Sequence, residues 1–171
     1  MTHKFAALKL AYIRSQFVFA SFTALSFVDI KELTTDRIVE VNGEKWIVSK
    51  RHKTGVPYQV KLQDILLQII ERYCPFQEDN LVFLNPNYWS ICKSLKKMIR
   101  GCGVNKSISF HCSRHGFATL ALCKGMPIES VSRVLSHTDI KIMPGNAAPT
   151  PTHLNRELVE FPNGVADRYA H

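Results

Sequence analysis

At 171 residues, with 46% hydrophobic and 21% charged side chains, the chain suits one folded domain with a sizeable core, and wholesale disorder is excluded. The net charge of +8 points to a polyanionic partner, of which nucleic acid is the commonest. No run of eighteen apolar residues offers a membrane-spanning helix, and the apolar stretch 17–27 lacks the basic lead-in and small-residue cleavage site of a signal peptide.

In chain order, the first element is a helix over 5–25, where Phe5, Leu8, Ile13, Phe17, Ala20 and Leu25 recur at helical spacing. A short helix with Val28, Ile30 and Leu33 follows, and Thr34-Thr35-Asp36 ends it. The period then changes to two. Ile38–Val41 reads as a strand, Asn42-Gly43 as a hairpin turn and Trp46–Lys50 as the returning strand. His52–Gly55 makes a second turn before a third strand at Tyr58–Leu62. The resulting small antiparallel sheet carries a basic rim of Lys50, Arg51, His52 and Lys53. The rest is helical: Gln63–Tyr73, stopping before Pro75; Tyr88–Cys102, basic through Lys93, Lys96, Lys97 and Arg100; His111–Lys124, ended by Gly125; and a helix opened by Pro127 and ending near Ser136-His137. The pattern is a mostly helical α+β domain over 1–142. From Met143 three prolines within eight residues break the regularity, and 143–171 reads as an atypical tail with a short helix at Leu154–Val159.

Chemistry concentrates in Phe110-His111-Cys112-Ser113-Arg114-His115-Gly116. On a helix, His111, Arg114 and His115 fall within about 100° of one another. The planar fork of Arg114 suits a bidentate grip on phosphate, and helix N-terminal amides favour anions. His137 lies just past an amphipathic helix, and Lys53 in a strand-to-strand turn. Taken singly, His137 reads as a capping or solvent-facing histidine and Lys53 as solvated surface.

Together these pieces resemble the catalytic domain of tyrosine recombinases, the phage-integrase family, particularly integrases of Bacteroides-type mobile elements. The stretch 17–30 is similar to the family's first box. Lys53-Thr54-Gly55 matches its catalytic lysine turn, His111-Cys112-Ser113-Arg114 its His-x-x-Arg box, and Leu135-Ser136-His137 its third box. The boxes stand in family order over about residues 10–142. The resemblance implies the fold of DNA breaking-rejoining enzymes. It also implies site-specific DNA recombination and integration, by strand cleavage through a 3′-phosphotyrosyl intermediate, with no metal and no cofactor. Arg114 would then stabilise charge on the nonbridging oxygens of the transition state, with His111 and His137 as hydrogen-bonding or acid–base partners. Lys53 would protonate the leaving 5′-oxygen. Arg51, Lys96, Lys97, Arg100 and His115 would contact double-stranded DNA. The resemblance further implies a homo-oligomer on DNA, tetrameric in the synapse, working in the cytoplasm of a bacterium at its nucleoid.

Two positions depart from the pattern. The family's first box usually reads Thr-Gly-Leu-Arg, and Ser26 stands where that arginine belongs. A hydroxyl is no bidentate cation, and losing one preorganised donor costs about 3 kcal/mol in the transition state. The nucleophile is expected roughly nine residues after His137, which lands on Asn146. The nearest tyrosine box is Arg168-Tyr169, so Tyr169 is the nucleophile candidate. Either an insert loops Tyr169 back, or passes it to a neighbouring subunit, or the tail is foreign sequence from gene decay, the reading favoured here. The family's N-terminal core-binding domain is not expected in this sequence, so DNA affinity should be weak and strongly salt-dependent.

The competing reading is a non-catalytic DNA-binding module, either a decayed recombinase or a helix-turn-helix-like regulator built on 127–139; a regulator would need neither the sheet nor the His-x-x-Arg box. A metal site of Cys102, His111, Cys112 and His115 fits no common zinc spacing. The five cysteines, an odd count without a Cys-x-x-Cys pair, fit a reducing compartment.

Overall fold

The computed structural model describes residues 2–74, 80–84 and 86–135, and every statement below concerns these. Helix α1 (Thr2–Thr23) packs against α3 (Asp64–Tyr73), α4 (Tyr88–Gly101) and α5 (Cys112–Cys123), so it lies among the other helices. Its second half is apolar on several faces, as a centrally placed helix requires, and buries Ile13, Phe19, Ala20 and Phe22. It stops where Ala24 takes φ +55, a left-handed conformation that side chains resist. Ser26 then caps α2 (Phe27–Lys31): its hydroxyl accepts from the Asp29 amide at 3.2 Å, while the Asp29 carboxylate accepts from the Ser26 amide at 3.1 Å.

Strands β1 (Ile38–Val41), β2 (Glu44–Lys50) and β3 (Pro57–Lys61) form one antiparallel sheet in the order β1-β2-β3. Asn42 and Gly43 turn the first hairpin with φ +54 and +78, the left-handed pair its geometry needs. Ile38 pairs with Ile47, Ile47 with Val60 and Ser49 with Tyr58. Ile47, Tyr58 and Val60 join the core. The α3 helix contributes Leu66 and Ile69, α4 Ile91 and Leu95, α5 Phe117 and Ala121, and α6 (Ile128–Leu135) Val131 and Leu135.

Aromatic rings tie the helical layer together. Phe19 meets Phe83 edge-on at 5.0 Å between centroids, and Phe110 meets Phe17 at 6.0 Å and Phe27 at 5.6 Å. These contacts fix the α1–α2 corner against the start of α5, where the informative box lies. Element limits agree with the sequence expectations to within a few residues, as helix and strand ends usually do. The expected tail from 143 onward lies outside the described residues. No helix among the described residues is long and apolar enough to cross a membrane.

Candidate functional site

Two arginines meet at the α1–α2 corner. Arg114, in the first turn of α5, donates from Nη1 to the Ala24 carbonyl at 2.8 Å and from Nη2 to the Leu135 carbonyl at 2.5 Å. Arg51 donates from Nη1 to the same Ala24 carbonyl at 3.3 Å and from Nη2 to the Val134 carbonyl at 2.6 Å. One backbone oxygen thus holds two guanidinium groups, and both close the C-terminal end of α6. The left-handed turn at Ala24 aims that oxygen at them, which gives the strained residue a local purpose.

Arg51 corrects the sequence expectation of a basic rim. It is only 4% exposed. In a strand, side chains alternate between faces, so the series Ile47, Ser49, Arg51 points inward while Val48 and Lys50 point to solvent. Its Nη1 lies 3.0 Å from the Asp29 carboxylate, a buried ion pair, and its guanidinium stands 4.4 Å from the centre of the Tyr58 ring. Asp29 is the hub of this corner. It accepts from the Ser26 hydroxyl at 2.8 Å and from the His52 amide at 3.0 Å. Burial alone would push its carboxyl up. The His52 amide and the Ser26 hydroxyl, followed by the charge and hydrogen bond of Arg51, outweigh that and hold it below the usual carboxylate range. The Arg114 guanidinium is drawn below its ordinary value by burial and then by the charge of Arg51, with Asp29 opposing. Asp29 therefore lets two like charges share one corner.

Beside Arg114 lies a cleft of about 360 Å3 lined by Ser26, Phe27, Tyr88, Phe110, His111 and Arg114, among others. Arg114 uses only part of its donor fork on the two carbonyls, which leaves N–H groups for a ligand in this cleft. His111 sits at the N-cap of α5, exposed, with its ring edge-on to that of His115 at 4.8 Å. The shared face expected of His111, Arg114 and His115 is therefore divided: the two imidazoles meet solvent and the guanidinium turns inward. Burial, and then a hydrogen bond with Cys92, raises the Tyr88 hydroxyl, which stays protonated as a donor.

Lys53 is exposed on the turn between β2 and β3, two residues from Arg51. The root of that turn is closed by Arg51 amide to Val56 carbonyl at 2.9 Å and Gly55 amide to Arg51 carbonyl at 2.8 Å. His52 adds a side-chain pair, its Nδ1 lying 2.8 Å from Glu32 Oε2. Lys96, Lys97 and Arg100 lie on α4, away from the cleft lining. His137 and Tyr169 lie outside the described residues. Among the described residues, then, the structure brings together Ser26, His111 and Arg114, and adds Arg51, Asp29 and Tyr88. Strand alternation could have placed Arg51. The role of Asp29 had no sequence signal beyond its place three residues after the cap.

The helical domain with its small antiparallel sheet has the fold of recombinase catalytic domains. The fold is similar to that of the integrase from mycobacterium phage Brujita, with a TM-score of 0.63 at 16% identity over 92% of this chain and 56% of that one. It is also similar to the XerH site-specific recombinase bound to its difH substrate in a pre-cleavage complex, with a TM-score of 0.61 at 19% identity over 86% of this chain and 43% of that one. The sequence is 28% identical over 145 residues to the tyrosine recombinase XerA of Pyrococcus horikoshii, covering 77% of this chain and 49% of the relative. Residues 5–146 match the phage integrase family, and the chain belongs to that family. It spans about half the length of the relatives it matches.

Proposed function

We propose that this chain supplies the DNA-gripping catalytic domain of a site-specific recombinase, with Arg114 clamping the scissile phosphate and the buried Arg51–Asp29 pair holding that corner in place. The observation that carries this reading is the convergence of both guanidinium groups on the Ala24 carbonyl beside the Ser26 cleft. Ser26 cannot hold an anion as a guanidinium does, and Arg51 places a second cation at the same corner from another element. The Arg114 guanidinium is preorganised by the Ala24 and Leu135 carbonyls, so it needs no rearrangement as charge develops on the phosphate oxygens. His111, at the mouth of α5, donates to the same phosphate, and His137, which follows the Arg-capped end of α6, joins it there. Lys53 gives its proton to the leaving 5′-oxygen from the neighbouring turn.

The partner in this reading is double-stranded DNA, with a further phosphate contact from His115, and the working form is a homo-oligomer assembled on that DNA. The setting is the cytoplasm of a bacterium, at the nucleoid. Tyr169 is the nucleophile candidate for an active chain: its oxygen would attack phosphorus, the 3′-phosphotyrosyl bond would form and the 5′-oxygen would depart, whereas a tail altered by gene decay would leave the chain without a nucleophile.

A nicked duplex from which the leaving strand can diffuse away tests the chemistry. The expected product is a denaturant-resistant protein–DNA adduct that is lost in Tyr169→Phe. An adduct that persists in Tyr169→Phe would move the nucleophile elsewhere. Binding without any adduct would favour the second reading, a non-catalytic DNA-binding module, for which the asparagine at the expected nucleophile spacing already speaks.

A further inference from the structure

A second cationic surface lies outside the guanidinium site. Between the first half of α1 and the outer face of α4 is a hollow of about 680 Å3 whose lining includes Lys9, Trp89, Lys93, Lys96, Lys97 and Arg100, and no carboxylate. Lys9 Nζ donates to Ser90 Oγ at 3.0 Å and ties the two helices across it. The helix repeat explains the clustering. Ile91 and Leu95 turn α4 toward the core, which leaves positions 89, 93, 96, 97 and 100 on the opposite side. Among these cations stands Trp89, 70% exposed in the first turn of α4, with its amide held by the Asn87 side chain at 2.9 Å. The Lys93 ammonium lies 5.3 Å from the centre of its ring. Lysines alone are what contact with any polyanion requires. A large ring left in water among them has no packing role, and it offers a flat apolar face.

We propose that this hollow binds an unpaired nucleic-acid strand, with one base stacked on Trp89 and the adjoining phosphates held by Lys9, Lys96, Lys97 and Arg100. A duplex presents a convex row of phosphates and keeps both faces of each base covered by its neighbours, so it has nothing to lay on the ring. A single strand can turn a base out and stack it on an aromatic side chain while its backbone tracks a positive groove. Tyr88, next to Trp89, lines the cleft beside Arg114. The strand site therefore begins one residue from the phosphate site. The inference rests on the recombinase reading only in taking nucleic acid as the polyanion.

Tryptophan fluorescence reads the proposal directly, because the only other tryptophan, Trp46, is 5% exposed. Titration of the full chain with a short oligothymidine is expected to quench the solvent-exposed emission to saturation, with clearly tighter binding than a duplex of equal length. Trp89→Leu should weaken binding of a labelled oligothymidine about tenfold, and Trp89→Phe, which keeps a stacking face, should restore most of it. Equal affinity for duplex and single strand, unaffected by Trp89→Leu, would overturn the proposal and leave the hollow as a duplex-phosphate contact. No quenching by either would overturn it too, and would point to an acidic protein segment as the occupant. Failure of the nicked-duplex adduct with quenching intact would count against the strand-cleavage reading alone.

Discussion

Arg51 and Asp29 form a buried pair whose members do more than attract each other. Removing charge from water is costly, and such a pair holds only when both partners are also hydrogen-bonded. Here Asp29 receives the Ser26 hydroxyl, the Ser26 and His52 amides and Arg51, and Arg51 gives its other donors to carbonyls. Arg51→Ala would leave the carboxylate without its cation, and the loss should be about 3–5 kcal/mol, read by urea unfolding at neutral pH. The same pair sets an acid limb. Because Asp29 is held below its unfolded value of about 3.9, its contribution is fully present above that value and is lost as pH falls through the lower folded value. Asp29→Asn should therefore be less stable at neutral pH and lose less on acidification. Parallel stability curves for the two proteins below about pH 4 would show that the network does not bias Asp29.

At the scale of elements, the α1–α2 corner decides where both guanidinium groups go, and Ala24 decides the corner. Its φ of +55 lies where a side chain costs about 1–2 kcal/mol, and glycine relieves that cost. The family's box carries glycine at this place, so Ala24→Gly is expected to raise the unfolding free energy by about 1 kcal/mol while leaving phosphate binding intact. A drop in stability would mean that the buried methyl group contributes more packing than the turn costs. Which parts of this corner were legible in the sequence follows from the range of the forces. Helices and strands announce themselves by local period, so Asn42-Gly43, the α4 stripe and the His-x-x-Arg turn could be placed directly. Arg51 was misassigned because the run Lys50-Arg51-His52-Lys53 has the composition of a solvated rim. The alternation from Ile47 carries the contrary information. The Asp29 hub was not legible, since its partners come from 22 and 23 residues away and only the folded chain brings them together.

For the whole molecule the question is where the net charge of +8 resides. One set of cations is inward and committed: Arg51 and Arg114 sit on backbone carbonyls, and Arg51 pairs with Asp29. Another is outward, and Lys9, Lys93, Lys96, Lys97 and Arg100 line one hollow without a carboxylate among them. Such a segregated set concentrates potential along α4 and recruits a polyanion by releasing its counterions, so affinity falls steeply with salt. Each phosphate contact removed makes that dependence shallower. Lys96→Ala and Lys97→Ala should each lower the slope of log affinity against log salt by about 1 for any DNA sequence, with little change in stability because both side chains are exposed. Filter binding or anisotropy across a salt series reads this directly. If both variants keep the parental slope, α4 does not touch the backbone, the strand site loses its cations, and DNA contact contracts to the guanidinium corner and the turn that carries Lys53.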